Sequence, residues 1–191
     1  MFAVVLDTCV LWPSLQRDFL LSLAVEGLYR PLWSDRILEE LELHEARKLI
    51  NRHGEDQLKA EIKARRLIAQ MQGAFDDALV EGWEPHEGTF GLPDSDDEHV
   101  VAAAVVGGAG AIVTNNVRHF PRSAVPKHIR ILEPTEFAAD TVAVSPEAAL
   151  QAVGELLKRR RNPPQSLEEM LQKLLEIYGM NEAVSLLRSA D

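Results

Sequence analysis

The sequence predicts an α/β protein in which helices cover a short parallel sheet, with a helical extension at its C-terminal end. Three observations carry this. Short apolar runs rich in valine and isoleucine at 2–6, 111–114 and 129–132 read as strands buried on both faces. Helical patterns alternate with them, the order that produces parallel pairing. Past about residue 140 only helical patterns remain, so 191 residues divide into a main unit, 1–140, and an appendage, 141–191.

Composition narrows the function. An apolar share of 46% supports a true core, so disorder is excluded as the default state. A net charge of −10 argues against a protein that coats nucleic acid through bulk electrostatics. It leaves open an enzyme that grips a few phosphates locally and holds cations with clustered acids. The single cysteine, Cys9, cannot form an internal disulfide and fits a reducing compartment. No run is long enough to span a membrane, and the opening Met1-Phe-Ala-Val-Val-Leu lacks the basic start of a signal peptide. The expectation is a cytoplasmic protein without membrane contact.

The first strand ends at Asp7, where open α/β sheets place their ligands. Cys9 reads as a small core residue, since no histidine lies nearby in sequence to activate it. Residues 13–26 form a helix stopped by Gly27. Ser34 caps a second helix with Ile37, Leu38, Leu41, Ala46 and Leu49 inward. Glu40 lies at the border of that stripe and can lean in, whereas Glu39, Glu42 and Glu45 face water. Gly54 ends this helix and another follows at 55–71, with Lys59, Lys63 and Arg66 on one solvated face. Residues 80–85 read as an irregular strand.

Leu92-Pro-Asp-Ser-Asp-Asp-Glu-His then leads into a helix of alanine and valine. Capping explains one or two of Asp94, Asp96 and Asp97. Carboxylates crowded this closely beside a buried segment repel unless a cation or water separates them. Ala102, Ala103 and Ala104 let the helix lie close against the sheet, which brings its acidic start near the strand ends. The extension begins at Ser145-Pro146, a cap with proline at the first helical position. That helix ends in the basic run 158–161 and is stopped by Asn162-Pro-Pro. Ser166-Leu-Glu-Glu169 is a capping box opening the next helix. Its apolar face comprises Leu167, Met170, Leu171, Leu174, Leu175 and Ile177. Gly179 separates a last short helix. An appendage of this size cannot bury its own faces, so it should dock on the main unit, a second copy of the chain, or a partner.

Asp7, Glu40, Asp94 and Asp97 resist the bland account, and Asn116 follows the later strand. Oxygen donors grouped in this way suit Mg²⁺ or Mn²⁺. No His/Cys grouping has zinc spacing.

Four stretches together carry a family resemblance: Val5-Leu6-Asp7-Thr8, Trp33 to Glu40, Leu92 to Asp97 with His99-Val-Val-Ala-Ala-Ala, and Ile112-Val-Thr-Asn-Asn116 with Phe120-Pro121. The chain resembles the PIN-domain ribonucleases over roughly residues 1–138, and within them the VapC-type toxins of VapBC toxin–antitoxin systems. The resemblance implies an Mg²⁺- or Mn²⁺-dependent endoribonuclease with Asp7, Glu40 and Asp97 as its catalytic carboxylates and Asp94 as a further acid of the same motif. It also implies RNA as substrate and a cognate antitoxin as partner. A homodimer is compatible with it.

This sequence departs from the family pattern at Asn116, where many members carry a fourth acid. A degenerate PIN-like module that binds RNA or protein without cutting is the competing reading. A haloacid-dehalogenase-like phosphatase would want a second acid at position 9, where this chain has cysteine.

Overall fold

The first strand, β1 (Ala3–Leu6), and the third, β3 (Ala111–Val113), lie side by side in the middle of a four-stranded sheet. β2 (Arg30–Leu32) pairs on the outer side of β1, and β4 (Arg130–Leu132) on the outer side of β3, giving the order β2-β1-β3-β4. All pairings are parallel, with Val5 opposite Leu32 on one side and Ile112 on the other. The computed structural model describes residues 1–160 and 163–191.

A single turn, α1 (Thr8–Leu11), which the sequence did not mark, precedes helices α2 (Ser14–Val25), α3 (Asp35–His53), α4 (Gln57–Ala74) and α5 (Glu98–Val106), which match the four expected. Ser34 caps α3 by accepting the Ile37 N–H at 3.2 Å, and Gly54 ends it in the left-handed conformation with φ of 63°. The alanines of α5 are fully buried where it packs on β1 and β3. Gly107 extends this close approach, because a Cβ there would stand 2.8 Å from Val80 and 2.9 Å from Leu32.

Three local expectations need correction. β2 escaped notice because it is three residues long with proline at its centre, a pattern tolerated on an edge strand. Residues 80–85 do not form a strand. Leu79 makes a single parallel bridge to Trp33, and Glu84–His86 is a 3₁₀ turn. A further helix, α6 (Pro134–Val144), precedes the anticipated start of the extension.

The extension continues through α7 (Pro146–Arg159), α8 (Leu167–Tyr178) and α9 (Asn181–Ala190). α7 packs on α2, and α9 packs on α6 and α7. Met170, Leu171 and Leu174 are buried, so these apolar faces dock on the chain itself. Ile177 departs from its expected inward position and is 64% exposed, while Tyr178 of the same turn packs on the core. The capping box at Ser166 and Glu169 is formed in both directions. Within the basic run, Arg159 donates to Ser22 Oγ at 2.9 Å, and Arg160 pairs with Asp18. Arg161 and the Asn162 stop lie outside the described residues.

Candidate active site

Side-by-side packing of β1 and β3 brings their C-terminal ends together. Asp7 donates its backbone N–H to the Val113 carbonyl at 3.1 Å, so the first residue after β1 is fixed beside the last of β3. Its backbone starts α1, yet its side chain makes no capping bond. The carboxylate instead accepts at Oδ2 from the Thr114 hydroxyl at 2.6 Å and from the Cys9 thiol at 3.0 Å. Asp7 is 5% exposed. Burial, and then the Asp7 charge, push the Cys9 thiol up to about 12. A thiol held protonated is a poor nucleophile, in keeping with the structural reading of Cys9.

Glu40 does lean inward. Its Oε2 accepts from the Thr8 hydroxyl at 2.8 Å, and its Oε1 stands 3.3 Å from His99 Nε2 and 3.7 Å from Arg36 Nε. Burial raises the Glu40 pKa, but bonds from His99 and Thr8 and the charges of His99 and Arg36 outweigh it. The carboxyl therefore lies below its ordinary value. Of the neighbours expected to face water, Glu45 does not. It pairs with Lys48 and Arg17 and keeps only 12% side-chain exposure.

Asp94 and Asp97 separate clearly. Asp94 accepts the Asp96 N–H at 3.1 Å, which is a capping role. Asp97 precedes α5 without a side-chain cap, and its Oδ2 lies 2.6 Å from His119 Nδ1. Burial raises its pKa first, the His119 bond opposes that, and the charges of Asp7 and Asp94 raise it again. The net direction is upward. Asp94, Asp97 and His119 offer ligand atoms within 4.8 Å of one another.

One cavity of about 530 Å³ collects Asp7, Glu40, Asp97 and Asn116 on its wall, together with Trp12 and His44. Asp94 does not line it and meets the site through His119, 3.8 Å away. Asn116 donates its backbone N–H to Thr114 Oγ1 at 3.0 Å, so Asn116 is tied to the hydroxyl that holds Asp7. Among the described residues no lysine or arginine lines the cavity. Three carboxylates and an amide are hard oxygen donors, Arg36 is the one cation the described residues place beside them, and this set fits a divalent cation.

Sequence reading missed Thr8, Thr114, His99 and His119, which hold the acids. A hydroxyl after each strand and a histidine just past the acidic run are visible only as single letters. Their pairing needs Thr114 to meet Asp7 across 107 positions, which no local pattern encodes.

A parallel α/β sheet with an acidic cleft at its strand ends fits a protein of the divalent-cation-binding class. More narrowly, the chain belongs to the PIN-domain family, whose model matches residues 3–118. A second model, described as the VapC50 C-terminal domain, matches residues 134–189 and covers α6 to α9. The chain is also similar to a Mycobacterium tuberculosis protein named "Putative ribonuclease VapC50", with 36% identity over 81 residues. That match covers 42% of this chain and 48% of the relative, so it spans about half the length of that curated protein. No solved structure matches the chain.

Proposed function

We propose that this protein is a metal-dependent endoribonuclease that hydrolyses RNA phosphodiester bonds and serves as the toxin of a type II toxin–antitoxin pair. The observation that carries the reading is the convergence of Asp7, Glu40 and Asp97 on one cavity at the ends of β1 and β3. Membership of the PIN family and the ribonuclease named among its relatives support it. The proposed catalytic carboxylates are Asp7, Glu40 and Asp97. Asp94 and Asn116 complete the proposed metal set, with Mg²⁺ or Mn²⁺ as the ion. The nuclease unit is read as residues 1–140 and the appended helices as 141–191, a boundary that falls within α6.

A divalent cation held here supplies charge stabilisation at the scissile phosphate and acidifies water. The chain's own part is to fix the acids. Thr114 and Cys9 orient Asp7, Thr8 and His99 orient Glu40, and His119 orients Asp97. Glu40, held below the ordinary carboxylate range, stays ionised and ready to ligate. Asn116 adds an amide oxygen and an amide donor at the wall. Without a cation the cleft repels phosphate, so RNA binding and cleavage should depend on metal together.

No helix among the described residues is long and apolar enough to cross a membrane. We place the protein in the cytoplasm, with a cognate antitoxin as partner. An acidic cleft lined by no lysine or arginine among the described residues invites a basic side chain from such a partner. Self-association into a dimer is decided by mass measurement in solution.

Purified protein with Mg²⁺ or Mn²⁺ should cut single-stranded RNA, and excess chelator should stop it. Equal cleavage in chelator would overturn the metal mechanism. The neutral Asn116 at the wall favours a second reading, a module that binds without cutting. An inactive wild type that Asn116→Asp makes active would establish that one.

A further inference from the structure

Two aromatic side chains share the cavity wall with the carboxylates. Trp12 stands at the exit of α1, five residues after Asp7, and His44 is one helical turn beyond Glu40 on the same face of α3. Their rings meet edge to face with centroids 6.5 Å apart, and the Arg52 guanidinium lies 5.3 Å from the centre of the Trp12 ring. His44 is exposed and Trp12 half-buried. The other two tryptophans differ, since Trp33 and Trp83 are 0% and 5% exposed. The indole N–H reaches the His44 carbonyl only at 3.4 Å, longer than an ordinary hydrogen bond. That contact by itself does not explain an indole on the wall of an acidic cleft.

We propose that Trp12 and His44, with Arg52 beside them, form a nucleobase-stacking subsite that holds an unpaired base of single-stranded RNA next to the scissile phosphate. The proposal rests on the ribonuclease reading above and assigns the side chains that would contact a base of the substrate. Charge supplies the reason. A protein of net charge −10 whose cleft has, among the described residues, no lysine or arginine on its wall gains little affinity from the phosphate backbone beyond the phosphates a bound cation holds. Stacking on an aromatic face or a guanidinium plane does not need that field, and every base has a face to offer. A duplex keeps its bases stacked on one another, so the subsite selects unpaired RNA.

The accessible indole provides the measurement. The full chain with Mg²⁺ is mixed by stopped flow with a short single-stranded RNA, the same RNA as a duplex, and an abasic version. Tryptophan emission is thereby read before turnover. The single strand should quench emission, and the duplex and abasic strands should not. Binding followed by anisotropy of labelled RNA should weaken roughly tenfold in Trp12→Leu, and Trp12→Phe should recover much of it. His44→Ala, at an exposed helical position, should weaken binding without loss of fold. It supplies the check if Trp12→Leu proves unstable. Wild-type affinity in folded Trp12→Leu and His44→Ala, or equal binding of the abasic strand, would overturn the subsite while leaving cleavage intact. A wild type that neither binds nor cuts RNA would overturn the ribonuclease reading, and the subsite with it.

Discussion

The cleft at the ends of β1 and β3 and the helices of the extension are built by opposite means. In the cleft, each acid is held by a residue distant in sequence: Thr114 on Asp7, Thr8 and His99 on Glu40, His119 on Asp97. In the extension, a local capping box, a left-handed glycine and the apolar spacing of α8 define the element. The cleft therefore depends on tertiary packing for its geometry, and the extension depends on it only for a surface to cover. Damage to the first should appear in chemistry, and damage to the second in stability.

The largest effect should come from Asp7→Asn, Glu40→Gln and Asp97→Asn. Each should lower metal-dependent RNA cleavage by at least about 10²-fold, the scale of losing one electrostatic group at a reacting centre. Thermal stability should hold or rise in Asp97→Asn, whose carboxyl lies above its ordinary value, and should fall modestly in Glu40→Gln, whose charge is favoured by His99 and Arg36. Paired cleavage assays and melts test this. A variant that unfolds together with its loss of activity would break the contrast between the regions.

The opposite profile is expected in the extension. Leu174→Ala, at a fully buried position, should cost about 2–5 kcal/mol in chemical denaturation while the folded protein cuts RNA at the wild-type rate. Truncation after Asp140 should expose the face of α2 that α7 covers and lower solubility or change the mass in solution. A soluble truncated chain with unchanged oligomeric state and cleavage would make the extension an independent tail.

Glu98 sharpens the boundary between the two behaviours. It follows Asp97 directly, yet it is 3% exposed and accepts from the backbone N–H groups of Phe90 and Leu92 at 3.0 and 2.8 Å. Burial raises its pKa, but the backbone bonds prevail and hold it below the ordinary range. A depressed folded-state pKa gives stability that is present above the ordinary glutamate range and is lost as pH falls through the folded value. Glu98→Ala should cost about 1–3 kcal/mol in the metal-free protein, and the loss should shrink under acid. Urea titrations at two pH values measure it.

The smallest effect should be at Asn116. If three acids suffice for the cation, Asn116→Ala should cost far less activity than Asp7→Asn, and Asn116→Asp should be tolerated with tighter metal binding by calorimetry. A gain of several hundredfold in cleavage from Asn116→Asp would instead mark the native chain as crippled at that position.

Much of this was legible in the linear chain. Strand-length apolar runs mark three of the four strands, and Ser34, Gly54, Ser166 and Gly179 mark helix ends, because caps and glycine conformations act over a few residues. Asp7 and Asp97 stand out in sequence as acids against buried segments. The short edge strand β2, the bridge between Trp33 and Leu79 and the helix α6 were not legible, and for β2 the reason is that three residues with a central proline carry little periodic signal. Which of the clustered aspartates is a cap was also beyond the sequence. Asp94 and Asp97 look alike as letters and differ only in what surrounds them. The same holds for Trp12 and His44, which become neighbours when α1 and α3 pack together. The sequence by itself determined most of the elements and the inventory of oxygen donors, because periodicity and capping are local. Only the tertiary structure decided which donors face one cavity, because hydrogen bonds across 32 and 107 positions exist only after the parallel sheet has closed.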